Sequence, residues 1–172
     1  MSNGRLYVCS LTKVVDTVRG SGARSLVTIL TAGASLVRPC EIARDRHLRI
    51  AVSDIDAPRE GQVLPGDEHI DRMLAFFEEW DRAAPLVIHC YAGVSRSPAA
   101  AYVAACALAP HRDEMELARA LRRASPTATP NRRLVALADE KLGRAGRMSQ
   151  AIAAIGRGAD CYEGAPFALE FG

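Results

Sequence analysis

The 172-residue chain predicts an α/β fold, a small, mostly parallel central sheet flanked by helices on both faces. Three observations carry that expectation. Short runs of β-branched and apolar residues alternate with a helical pattern in the first half of the chain, and the second half is a succession of helical patterns. One of the runs, "PLVIH" at 85–89, is almost wholly apolar, as befits a strand covered on both faces.

"RLYVCSL" and "SLVTIL" read as the first two strands. Between them, Val14, Val15 and Val18 line one face of a helix that Gly20 and Gly22 terminate. "HLRIAV" supplies a third strand and "PLVIH" a fourth, central one. The intervening "SDIDAPREGQVLPG" is dense in Asp, Pro and Gly and can only be a loop, long enough to suggest a functional one. From Asp67 the spacing of Ile70, Met73, Leu74, Phe77 and Trp80 is helical, with Asp67 and Glu68 at the end where the helix dipole favours negative charge.

"AAAYVAACALA" predicts a helix buried on most sides, Tyr102 included. "DEMELARALRRA" has acids first and arginines last, and "NRRLVALADEKLG" opens on a possible N-cap, Asn131, and closes on Gly143. Met148, Ala151, Ile152 and Ile155 mark a last helix before a tail, "GRGADCYEGAPFALEFG", that reads as loose. Arg122, Arg123, Arg132 and Arg133 read as a solvated face. The chain is expected to form one domain, 1–172, with a core over about 5–143 and a helical extension and tail over 144–172.

Nearly half the residues are hydrophobic and the net charge is only +2, which favours a folded protein and gives little support to nucleic-acid or membrane-surface binding. The five cysteines have no CxxC spacing, so neither a disulfide framework nor a zinc site is expected and a reducing, cytoplasmic setting fits. Cys9 and Cys106 sit in apolar runs and read as packing, while Cys40 and Cys161 carry no signal. No signal-peptide pattern or membrane-length apolar run is evident.

The segment "IHCYAGVSRSP" at 88–98 joins the central strand to the alanine-rich helix. A strand-to-helix turn there gathers backbone N–H groups at a helix N-terminus, an anion site whose donors favour a thiolate at Cys90, the nucleophilic form. Ala92, Gly93 and Ser95 are small, Gly93 can take the positive φ of a cupped turn, and Arg96 offers a fork of donors for two oxygens of a phosphate. Ser97 could hydrogen-bond the Cys90 sulfur, and His89 fits a role in orienting the loop better than one as a base.

The string "HCYAGVSRS" resembles the signature loop of the cysteine-dependent protein tyrosine phosphatases, and its "AG" and "SRS" look most like the compact dual-specificity branch. The resemblance implies a tyrosine/dual-specificity phosphatase-like fold without metal or cofactor. It implies Cys90 as nucleophile forming a phosphocysteine, Arg96 as phosphate clamp, Ser97 as helper of the leaving thiolate, and the amides of Tyr91, Ala92, Gly93, Val94, Ser95 and Arg96 as phosphate cradle. It also calls for an aspartate acid on an upstream loop, for which Asp54 matches best and Asp56 is the rival. Asn131, at the head of a helix like the family's late one, either supports the loop or simply caps its helix. The expected activity is hydrolysis of phosphate monoesters, phosphotyrosine first and then phosphoserine and phosphothreonine in proteins. The expected partners are a phosphorylated protein or small phosphomonoester, with phosphate or another oxyanion in the site. The alternatives are a non-catalytic phosphate-binding module of the same fold and a cysteine-based arsenate reductase or sulfurtransferase.

Overall fold

The apolar "LVIH" run forms the middle strand of a five-stranded sheet in the computed structural model, which describes residues 4–172. The strands are β1 (Arg5–Cys9), β2 (Ser25–Leu30), β3 (His47–Ala51), β4 (Leu86–His89) and β5 (Phe167–Glu170), in the order β3-β2-β4-β1-β5. β1, β2, β3 and β4 are parallel, and β5 joins β1 antiparallel. The four parallel strands therefore deliver their carboxyl ends to one edge, where open α/β sheets bind ligands.

Among the described residues six α-helices cover the sheet: α1 (Val14–Ser21), α2 (Asp67–Glu79), α3 (Arg96–Leu108), α4 (Glu114–Ala124), α5 (Arg132–Lys141) and α6 (Arg147–Ile155). Val14 and Val18 of α1, together with Ile42 from the β2–β3 connection, pack on Leu26 and Val87 to form the smaller core. Leu6, Val8, Val27, Ile29, Ile50, Leu86 and Ile88 face the other way, into the larger core with α2 to α6. Alternation along each strand thus divides the apolar side chains between two faces. α3 lies at the heart of the larger core, and from Arg96 to Cys106 every residue is buried. The alanines let neighbouring elements approach closely, and the Tyr102 hydroxyl donates to the Glu114 carbonyl at 3.0 Å.

Helix ends follow the local chemistry. Gly22, at φ 70°, closes α1, and the Asp113 carboxylate caps α4 by accepting from the Glu116 amide at 2.9 Å. Two expectations need correction. The tail is not loose throughout, since Phe167, Leu169 and Phe171 alternate inward as β5 pairs with β1 and are buried in the larger core with Met148 and Ile152. Nor is the arginine group wholly solvated. Arg122 donates to the carbonyls of Ser125, Pro126, Ala128 and Gly156, and Arg133 to that of Pro65, so each satisfies loop carbonyls that lie outside the sheet and helix ladders.

Candidate active site

Cys90 follows β4 directly, and residues just beyond the other parallel strands meet the turn that it opens, Ser10 at Gly93 and Thr31 and Val52 at Arg96. The turn from Cys90 to Ser95 holds its carbonyls outward. Those of Cys90 and Tyr91 are held by His89 Nδ1 at 3.2 Å and the Leu11 amide at 3.0 Å. Those of Ala92 and Val94 accept from the amides of Gly164 at 2.9 Å and Thr129 at 2.8 Å, and that of Ser95 from Ala99 and Asn131. In a trans peptide the N–H points opposite to the C=O. The amides of Tyr91, Ala92, Gly93, Ser95 and Arg96 are therefore directed into the turn, and α3 begins behind them.

Gly93 is demanded twice over: its φ is 72°, and a Cβ there would stand 2.9 Å from both the Cys9 carbonyl carbon and the Ser10 nitrogen.

At the base of this cup, Cys90 Sγ lies 3.0 Å from Ser97 Oγ, and both residues are buried. Arg96 is only 6% exposed. Its Nη1 donates to the Val52 carbonyl at 2.9 Å and to Thr31 Oγ1 at 3.3 Å, so the ends of β2 and β3 fix the guanidinium plane. Among the described residues, Arg96 Nε is the one buried side-chain nitrogen or oxygen without a hydrogen-bond partner. A buried, unsatisfied donor is costly and needs a reason.

His89 is fully buried. Its Nδ1 faces a carbonyl and so carries the proton, leaving Nε2 to accept from Thr28 Oγ1 at 2.8 Å. Thr28 Oγ1 in turn lies 2.8 Å from His47 Nε2, which donates to it. Burial, with the Arg96 charge adding to it against the pull of the Cys90 carbonyl, takes the His89 pKa down to about 4. The imidazole is neutral at pH 7, with both nitrogens engaged.

On the rim, Asp54 Oδ1 accepts from Ser95 Oγ at 2.7 Å and from Asn131 Nδ2 at 3.0 Å. Asn131 also donates to the Ile55 carbonyl at 3.2 Å and accepts from the Leu134 amide at 3.0 Å, so one side chain both caps α5 and holds the 53–66 loop. Asp56 is exposed and lines, with Asp54, Arg59, Ser95, Asn131 and Arg132, a hollow of about 260 Å³ beside the cup.

Comparison with known proteins finds no matching family model and no matching curated protein. Solved structures do match. A mouse putative dual specificity phosphatase complexed with zinc tungstate has a TM-score of 0.61 at 21% identity, covering 86% of each chain. Human DUSP28 gives 0.58 at 20% identity over 81% of this chain and 92% of its own. A human tyrosine phosphatase-like serine/threonine/tyrosine-interacting protein gives 0.61 at 13% identity over 81% and 92%. The chain has the dual-specificity phosphatase fold.

Several residues that complete the cup within this phosphatase fold escaped the sequence reading. Thr28, Thr31 and Val52 lie in or just beyond strands and offered only strand-like composition. The tail contributes two more: the Glu163 carboxylate accepts from the hydroxyls of Ser10 and Thr12, which hold its pKa below the ordinary range, and Gly164 sits against Ala92 and Gly93. The glycine between acidic and apolar residues in "YEGAPF" was the available signal. Burial pushes the thiols of Cys9 and Cys106 up to about 12, so both are protonated at neutral pH. Among the described residues no group of three or more His, Cys, Asp or Glu side chains could hold a metal ion, and no helix is long and apolar enough to cross a membrane.

Proposed function

We propose that the protein hydrolyses phosphate monoesters through a phosphocysteine at Cys90, acting on phosphotyrosine and also on phosphoserine or phosphothreonine in proteins. The observation that carries this reading is the buried, unpartnered Nε of Arg96 beside a cup of inward amides with a cysteine at its base. Such an array fits a tetrahedral dianion, which would supply the missing acceptor. The resemblance of "HCYAGVSRS" to the tyrosine phosphatase signature and the shared fold support the same reading.

In the first step the substrate phosphoryl oxygens take the cup amides and the Nε–Nη2 edge of Arg96. Cys90 Sγ attacks phosphorus as the ester P–O bond breaks, and Asp54 gives its proton to the leaving oxygen. Its hydrogen bonds to Ser95 and Asn131, which hold it at the cup's edge, favour Asp54 over Asp56 for this role. In the second step water attacks phosphorus, Asp54 takes the water proton, and the S–P bond breaks while the Ser97 hydroxyl donates to the departing sulfur. His89 has both nitrogens engaged and serves as a positioning residue.

The deciding assay is hydrolysis of an aryl phosphate in the presence of a chelator by the wild type, Cys90→Ser and Arg96→Ala. Turnover by the wild type is expected, with a loss of at least about a thousandfold in either variant, since nucleophile and charge stabilisation are then removed. Wild-type protein that binds phosphopeptide without releasing phosphate would overturn the catalytic reading and leave a binding module. Turnover of arsenate or thiosulfate in place of phosphate esters would assign a different sulfur chemistry.

A further inference from the structure

Away from the cup, the edge strand β3 and the β2–β3 connection bring together three arginines and a neutral histidine and no acidic side chain. Arg38, Arg44, His47 and Arg49 line a hollow of about 350 Å³. Some arginines elsewhere pair with carboxylates, as in Arg5–Glu170, Arg46–Asp81 and Arg144–Glu114, and others, such as Arg122 and Arg133, are spent on loop carbonyls. Among the described residues none of Arg38, Arg44 and Arg49 forms such a pair. The acids nearest in sequence are turned elsewhere: Glu41 is bound to Arg19 at 2.7 Å, and Asp45 lines a separate hollow with Arg46.

Arg38 and Arg49 are fixed by backbone, since Arg38 donates to the Ile42 carbonyl and Arg49 to that of Leu36 at 3.3 Å. Both side chains are thus anchored to the β2–β3 connection while lining the same hollow. Burial first, then the charges of Arg49 and Arg38 and the nearby His89, take the His47 pKa down to about 4. An arrangement of this kind is complementary to a multiply charged oxyanion, which several guanidinium forks can grip at once.

We infer that Arg38, Arg44, His47 and Arg49 form a second site for a phosphate group, separate from the Cys90 cup. The group is either free inorganic phosphate, the product of the proposed reaction, or a second phosphoryl on a multiply phosphorylated substrate. The site does not depend on the reading of Cys90, because its binding can be measured without turnover. His47 reports on it directly, and its Nε2 contact with Thr28 places this pocket one hydroxyl away from His89.

The test is a titration of the isotopically labelled full chain with inorganic phosphate at constant ionic strength, read by NMR at the His47 ring and the Arg38, Arg44 and Arg49 amides, and separately at the Tyr91–Arg96 amides. Saturable shifts are expected in both groups. In Arg44→Ala/Arg49→Ala, which alters two exposed side chains, the His47 response should weaken at least tenfold, while the cup response and aryl phosphate turnover stay unchanged. No response at His47 up to phosphate concentrations that saturate the cup would overturn the proposal. So would an equal response to chloride, or one unchanged in the double variant. Peptides carrying a second phosphate at increasing spacing, bound to Cys90→Ser, then identify the source. Tighter binding that the double variant abolishes assigns the pocket to substrate, and equal binding with the phosphate titration intact assigns it to free phosphate.

Discussion

Arg96 concentrates the chemistry at the scale of single residues. One nitrogen is tied to the ends of two strands, and the remaining edge, buried at Nε, has no protein acceptor. A lysine would keep the charge and lose the fork, so Arg96→Lys is expected to lower kcat on the order of a hundredfold, measured with a small aryl phosphate. Asp54 and Asp56 are separated by leaving-group dependence. Asp54→Asn should slow release of the alcohol from an alkyl phosphate roughly a hundredfold or more and slow the burst of nitrophenol from a nitrophenyl ester little, since that leaving oxygen needs no proton. Equal, mild effects from Asp54→Asn and Asp56→Asn would remove Asp54 from the mechanism. Gly93→Ala places a Cβ against the Cys9 and Ser10 backbone at positive φ, and should abolish turnover while weakening phosphate binding in a direct titration.

Among the elements, α3, α4 and α6 meet at a buried ion cluster whose pH response can be worked out. Glu114 Oε1 accepts from Arg144 at 2.7 Å and Arg147 at 3.1 Å, and Arg144 also donates to the Cys106 carbonyl at 2.7 Å. Burial alone would raise the Glu114 pKa, but the backbone hydrogen bond and the two arginines outweigh it and hold the pKa below the ordinary 4.5. A carboxylate whose folded pKa is depressed contributes stability that is fully present above the ordinary value and lost as the pH falls below it. Glu114→Gln should thus cost about 3 kcal/mol at neutral pH, by leaving Arg144 buried without its partner, and should flatten the fall in Tm below pH 4.5. The helices themselves were legible because 3.6-residue periodicity and end signals such as Asn131 and Gly22 act locally. β5 was missed although Phe167, Leu169 and Phe171 alternate, because a short strand after a Gly- and Pro-containing stretch gains its meaning only from pairing with β1. Arg122 was misread for a similar reason, since its four carbonyl partners come from two loops that the sequence does not visibly bring together.

Over the whole molecule, the tail closes the larger core and braces the cup from behind. Phe171 is 1% exposed and its ring centroid lies 6.4 Å from that of Trp80, while Glu163 and Gly164 contact Ser10, Thr12 and Ala92. Phe171→Ala should cost about 3–4 kcal/mol in chemical denaturation. Glu163→Gln, whose side chain lies on the surface of that brace, should lower kcat more than stability. The proposed nucleophile and clamp, Cys90 and Arg96, were legible in one short string because the turn builds them from nearby residues. The brace, the His47–Thr28–His89 chain and the strand-end contacts of Arg96 were not, since they join positions that only the β3-β2-β4-β1-β5 order brings side by side. The most direct test of the central claim is an acid quench during turnover of ³²P-labelled aryl phosphate, followed by mapping of the label. Label on the peptide containing Cys90, accumulating further in Ser97→Ala and absent from Cys90→Ser, is the expected result. Turnover that persists in Cys90→Ser, or phosphate release with no label on Cys90 in either the wild type or Ser97→Ala, would contradict it.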